Sequence, residues 1–271
     1  ISASEVATML EVVGVDRILA VDLQHPGHGT IEAFFDTRVP VDVIEGTFAG
    51  VEYFRRHHGA EDMVIVAPNE SCVKKARDFQ TGIRGSGYVS DGDNITRTNI
   101  GLAIMVRQKS APAMRGREGG YSVSSGAKDD GDGEEVRSQL GNLQLVGNVE
   151  GRHVVIVDDM IATGKSLVTV AKLLKAEGAK SVSCFATHGV FAGNAMEVID
   201  ECDELDEVVV TNTIPAREGV QISNKVKYLS LGCVIADVIE KINLKDSLRK
   251  TSLVVYAADE EDDARYASQE N

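Results

Sequence analysis

Hydrophobic positions along the chain follow two different spacings. Short, nearly uninterrupted apolar runs rich in β-branched residues recur at Ile18 to Leu23, Met63 to Ala67, Gly101 to Val106, His153 to Asp158, Ser181 to Thr187, Glu207 to Asn212 and Val226 to Leu231. Runs of this kind suit strands buried on both faces of a parallel sheet. Between most of them the apolar residues return at helical spacing, at Gly46 to His58, Ser71 to Gln80, Leu167 to Glu177 ahead of Gly178, Asn194 to Glu201 and Leu231 to Ile242. A further helix is predicted at the start, where Ile1 and Val6 are spaced as a hydrophobic staple and Ser2 with Glu5 forms a capping box. Val6, Met9, Leu10 and Val13 recur on one of its faces. Strands and helices in alternation predict an α/β fold, a parallel sheet with crossover helices.

One stretch breaks the pattern. Ser110 to Val136 holds Gly-Gly, Ser-Ser, Asp-Asp and Glu-Glu pairs with almost no apolar residue, and is predicted to be a disordered loop. Asp259 to Asp263 is an acidic run that reads as a solvated tail.

With 271 residues, 43% of them hydrophobic and 26% charged, the chain has room for one large or two modest domains. A net charge of −14 argues against nucleic acid, which needs a basic stripe to displace counterions. An anionic substrate must instead be captured by a local basic patch or by a divalent cation. Cys72, Cys184, Cys202 and Cys233 lie far apart without a CxxC pair, so neither a zinc site nor a disulfide framework is indicated. A reducing, cytoplasmic setting is expected, and no apolar run is long enough to call for a membrane.

The segment from His153 to Ser166 carries the most specific chemistry. A buried strand delivers Asp158 and Asp159 to its carboxyl end, where they can accept hydrogen bonds from vicinal ribose hydroxyls or hold hydrated Mg²⁺. The chain then turns through Ala162, and Thr163, Gly164, Lys165 and Ser166 offer amides and hydroxyls to a phosphate at a helix N-terminus. The glycine spacings of a Walker A loop or a GxGxxG fingerprint are not met.

This segment resembles the phosphoribosyl-diphosphate loop of type I phosphoribosyltransferases and of their relatives, the ribose-phosphate pyrophosphokinases. Thr187-His188-Gly189-Val190-Phe191-Ala192-Gly193-Asn194-Ala195 and Val208-Val209-Val210-Thr211-Asn212-Thr213-Ile214-Pro215 are similar to the pyrophosphokinase versions. So are Asp22-Leu23-Gln24-His25 with Phe34-Phe35-Asp36 and Pro40-Val41-Asp42, and Val64 to Pro68 followed by Val73-Lys74-Lys75-Ala76-Arg77. The resemblance runs from Ile1 to about Ile242.

It implies a type I phosphoribosyltransferase-like parallel sheet flanked by helices, plus the remnant of a second, similar domain. Residues 1–45 would be the end of the first domain, with roughly its first hundred residues absent. Residues 46–243 would be the sugar-phosphate domain, interrupted by the insertion 110–136, and residues 244–271 a C-terminal segment. The implied reaction moves diphosphate from Mg·ATP to C1 of ribose 5-phosphate, in a homo-oligomer or together with associated subunits of the same family. Arg107 and Lys109 match the family's two catalytic cations with their order exchanged, a swap that replaces a planar fork by a point charge and the reverse. Asp158, Asp159, Ala162, Thr163, Gly164, Lys165 and Ser166 match the ribose-phosphate site. Asp22, His25, Asp36, Asp42 and Asn69 match its Mg²⁺ region, although Gln24 stands where the family has His and Asn69 where it has Asp. Ala162 departs from the pyrophosphokinases towards the transferases. Two alternatives stay open: a non-catalytic subunit that regulates active partners, and a phosphoribosyltransferase that uses the diphosphate product.

Overall fold

A computed structural model describes residues 3–23, 39–58, 62–85, 100–107, 143–216 and 221–244. In chain order the elements are α1 (Ala3–Val13), β1 (Ile18–Val21), β2 (Val41–Ile44), α2 (Thr47–His58), β3 (Met63–Ala67), a 3₁₀ turn (Glu70–Cys72) and α3 (Val73–Gly85). They continue with β4 (Gly101–Arg107), β5 (Leu143–Val146), β6 (His153–Ile161), α4 (Lys165–Ala176), β7 (Ser181–Gly189), α5 (Ala195–Asp200), β8 (Glu207–Thr211), β9 (Val226–Leu229) and α6 (Gly232–Asn243).

Seven strands form one sheet in the order β5-β4-β3-β6-β7-β8-β9, while β1 and β2 pair in parallel in a sheet of their own. Every neighbouring pair in the large sheet is parallel except β4 with β5. The sheet is thus mostly parallel, as the sequence leads one to expect, with one antiparallel edge. The physical basis of that edge is short: a four-residue strand with alternating burial closes one edge, as edge strands in mixed sheets do.

The period of two along the strands divides the core between the two faces. Val64, Val66, Val154 and Ile156 face Leu167, Ala171 and Leu174 of α4 and Ile199 of α5. Met63, Ile65, Val155 and Val157 face Phe54 of α2 and Phe79 and Ile83 of α3, with Phe185 and Val209 beside them. A third cluster joins Ile44 of the small sheet to Ala49 of α2 and to Leu231, Val234 and Val238 at α6.

Several boundaries move for identifiable reasons. β6 runs past Asp158 because Met160 and Ile161 pair with His188 and Gly189 of β7, so both aspartates sit within the strand. The helix read from Ser71 begins at Val73, because the Asn69 side chain accepts from the Cys72 N–H and winds a 3₁₀ turn first. The apolar stripe of α1 is not buried: only Ala7 of that helix is in the core, and Val13 is 82% exposed. Among the described residues, no helix is long and apolar enough to cross a membrane. The predicted loop 110–136 and the acidic tail lie outside the described residues, as do Ile1, Ser2, Gln24, His25, Asp36 and Lys109.

Candidate active site

The carboxyl end of β6 and the N-terminus of α4 meet through Ala162, Thr163 and Gly164. Gly164 is the N-cap residue, at φ 75°, and no side chain caps the helix. Such a φ suits glycine. The first-turn amides of an α-helix have no intrahelical acceptor, so an uncapped start turned towards solvent favours an anion. Thr163, Lys165 and Ser166 are exposed there. The turn is braced from behind: Val190 and Phe191 donate their N–H groups to the Ile161 carbonyl at 3.0 and 3.1 Å, and Ala192 donates to Ala162 at 2.7 Å. The loop carbonyls therefore point towards the segment after β7.

Asp158 and Asp159 stand just before this turn, partly buried. Asp158 Oδ1 accepts from the Asp159 N–H at 2.8 Å and from the Cys72 thiol at 3.2 Å. Burial raises the Asp158 pKa above the usual carboxylate value, against the lowering effect of these two hydrogen bonds. Burial and the nearby Asp158 push the Cys72 thiol up to about 12, so it stays protonated and serves as a donor.

Asp159 is held from the other side by Lys75 of α3, which also lies 2.7 Å from Asp22 Oδ2. The Lys75 side chain is 12% exposed. Burial works against its ammonium, but Asp22 and Asp159 outweigh it and lift its pKa above the ordinary lysine value. Asp22 also accepts from the Thr187 hydroxyl, and His188 Nε2 lies 3.2 Å from the Asp22 carbonyl. Nδ1 of the same ring contacts Thr213 Oγ1 at 2.8 Å. One polar network thus joins the end of β1, α3, the end of β6 and the end of β7.

Comparison with known proteins fits this arrangement. The phosphoribosyl synthetase-associated domain profile matches residues 60–252. This chain belongs to that family. It is 33% identical over 248 residues to a ribose-phosphate pyrophosphokinase of Coxiella burnetii and 35% identical over 248 residues to one of Vibrio vulnificus. Both alignments cover 92% of this chain and 64% of the relative, so the chain spans under two thirds of their length. The crystal structure of phosphoribosylpyrophosphate synthetase from Mycobacterium smegmatis superposes with a TM-score of 0.66 at 28% identity, covering 90% of this chain and 64% of that one. The mostly parallel, helix-flanked sheet is the fold of this synthetase.

Within that family frame, the residues named from the sequence separate into two groups. Asp158, Asp159 and the stretch Ala162 to Ser166 are contiguous at one end of the sheet. The described members of the metal set do not converge. Asp42 pairs with Arg17 at 2.6 Å, Asn69 caps the 3₁₀ turn, and Asp22 is taken by Lys75 and Thr187. Among the described residues, the group whose ligand atoms come together is Cys72, Asp158 and Asp159, all within 4.8 Å. A protonated thiol and a carboxylate already paired with Lys75 are poor ligands for Mg²⁺, which takes oxygen donors in an octahedron. These residues do not fit a resident Mg²⁺ site. Arg107 ends β4 in an exposed position.

Lys75, Cys72 and Thr187 escaped the sequence reading as site residues. Lys75 is one of two adjacent lysines on α3, and nothing in their local spacing separates it from Lys74, whose side chain is 81% exposed. The difference is purely tertiary.

Proposed function

We propose that this chain is the sugar-phosphate part of a ribose-phosphate pyrophosphokinase. The observation that carries the reading is the pair Asp158–Asp159 placed directly before an uncapped helix start, in a chain of this family. The amides of Gly164 to Ser166 take the 5-phosphate, with Lys165 adding charge, and the two aspartates accept hydrogen bonds from the ribose hydroxyls. The C1 oxygen then attacks the β-phosphorus of ATP. A new bond forms from that oxygen to the β-phosphorus as the bond from the β-phosphorus to the α–β bridging oxygen breaks; AMP leaves with the bridging oxygen, and the C1 hydroxyl proton is released to solvent. Charge on the moving phosphorus is met by cations, the role assigned to Arg107 and Lys109. Mg²⁺ enters as Mg·ATP and stays on the phosphates. Residues 1–45 belong to a first domain and 46–243 to the sugar-phosphate domain, and the working form is an assembly of like subunits in the cytoplasm.

Ribose 5-phosphate titrated calorimetrically into the protein should bind saturably with one site per chain. AMP should appear when Mg·ATP is added to a form of the protein able to bind it. Absence of binding would remove the proposal.

One observation favours a second reading. Asp22 is neutralised by Lys75 and Asn69 has no charge, so the metal-binding part of the resemblance is weak where the phosphate loop is strong. A subunit that binds sugar phosphate but regulates active partners would look like this. Binding without AMP formation, together with a changed rate in a co-assembled pyrophosphokinase, would select it.

A further inference from the structure

Lys75 occupies the point where two carboxylates from distant parts of the chain converge. Asp22 Oδ2 is 2.7 Å from its Nζ, Asp159 Oδ1 is in contact, and the three side chains are 12, 11 and 14% exposed. The Thr187 hydroxyl reaches the same Asp22 oxygen. Asp22 is fixed independently of these charges: its N–H donates to the Ile44 carbonyl at 2.8 Å and its own carbonyl faces His188. Its φ is 48°, in the left-handed region that Asp tolerates better than most residues. The backbone at Asp22 is thus held in place, and with its side chain only 11% exposed the carboxylate's charge is met inside the fold.

We infer that Lys75 is an internal counter-ion that assembles the ribose subsite without a divalent metal. Its ammonium links Asp22 to Asp159, and Asp159 is thereby aimed at the sugar; Lys75 is a positioning residue that does not itself touch substrate. Divalent metal is then needed for the nucleotide and not for the sugar phosphate. Two carboxylates and a hydroxyl around a point charge form a seat of hard oxygens, the donor set that takes a divalent ion once the ammonium is gone. The statement about ribose rests on the proposed function, whereas the statement about the seat does not.

The test uses the intact chain, Lys75→Met and Lys75→Arg. Ribose 5-phosphate affinity of the unmodified protein should be equal in EDTA and in excess Mg²⁺. Lys75→Met should bind one Mn²⁺ per chain by electron paramagnetic resonance, where the unmodified protein and Lys75→Arg bind none at this seat. In EDTA it should bind ribose 5-phosphate at least about tenfold more weakly, about 1.4 kcal/mol, and recover when Mn²⁺ is added. A requirement for Mg²⁺ in the unmodified protein would overturn the inference even if Lys75→Met fails to fold. So would a folded Lys75→Met that takes up no Mn²⁺. If the unmodified protein binds no ribose 5-phosphate at all, the functional reading falls, and Mn²⁺ uptake by Lys75→Met still decides the role of Lys75.

Discussion

Gly50 of α2 lies directly against the ring of Phe185 of β7, so closely that a Cβ at Gly50 would sit 2.5 Å from Cδ2 and 2.6 Å from Cε2. The helix reaches the sheet because this position has no side chain. Phe185 is fully buried and packs against Phe79 at 5.5 Å between ring centroids, so it has no free direction in which to retreat. Gly50→Ala adds a better helix former, worth about 1 kcal/mol in an exposed helix, but overpacking of this kind costs about 1–3 kcal/mol. The clash should win. A lower urea midpoint with an unchanged m-value would show it, and a stabilised variant would mean that α2 can shift outward.

Glu207 provides a handle at the opposite end of the sheet, at the start of β8. It is buried, with His58 Nε2 2.5 Å from one oxygen, the Tyr53 hydroxyl donating to the other at 2.9 Å, and Lys227 at 3.2 Å. Burial alone would raise its pKa, but the hydrogen bonds from His58 and Tyr53, with the charges of His58 and Lys227, bring it down to about 2 from an ordinary 4.5. A depressed carboxylate stabilises the fold above its unfolded pKa, and that contribution disappears as pH falls from about 4.5 towards 2. It is on the order of 2–3 kcal/mol. Glu207→Gln should flatten the loss of stability across this window in denaturation curves recorded at successive pH values. Parallel pH dependence in the variant and the unmodified protein would place the acid-sensitive groups elsewhere.

Which parts of the molecule could be read in the sequence follows from how local their causes are. Met63 to Ala67 announces β3 residue for residue, because a central strand buried on both faces has no polar position to blur it. The turn at Gly164 is equally legible, since strand, glycine and helix follow one another in the chain. β5 was missed because an edge strand of four residues with alternate exposure carries little apolar signal. The α1 stripe misled for the converse reason: its periodicity is real, but in this chain the stripe meets solvent. The described members of the metal set do not converge, and Lys75 was overlooked, through one cause. Asp22, Lys75 and Asp159 are separated by dozens of residues, and only the fold, which brings Lys75 of α3 to the residue after β1 and to the end of β6, tells which cation the carboxylates receive.

The anion site should respond to the backbone at Gly164. Its φ is 75°, and a Cβ there would lie 3.4 Å from the Ala195 carbonyl and from Ile199 Cγ1. Gly164→Val must distort the turn or shift α5, moving the amides off the phosphate. Ribose 5-phosphate affinity measured by calorimetry should fall about tenfold or more, at least about 1.4 kcal/mol. Gly14→Ala is the control, because Gly14 has φ 89° with nothing within 4 Å of its added Cβ, far from the loop in the chain. Equal losses in both variants would point to general destabilisation, not to the site.

Arg107 separates the catalytic reading from the regulatory one. It is the last residue of β4, paired in register with Leu143 and exposed. On the proposed function, its guanidinium acts when both substrates are present and charge develops on the phosphorus. In a form of the protein that converts ATP to AMP, Arg107→Ala should lower kcat and kcat/KM together by about a hundredfold or more, with ribose 5-phosphate affinity unchanged. A rise in KM alone would make Arg107 a binding residue. Unchanged kinetics would deprive the catalytic reading of its described cation and leave the associated-subunit reading as the better account of this chain.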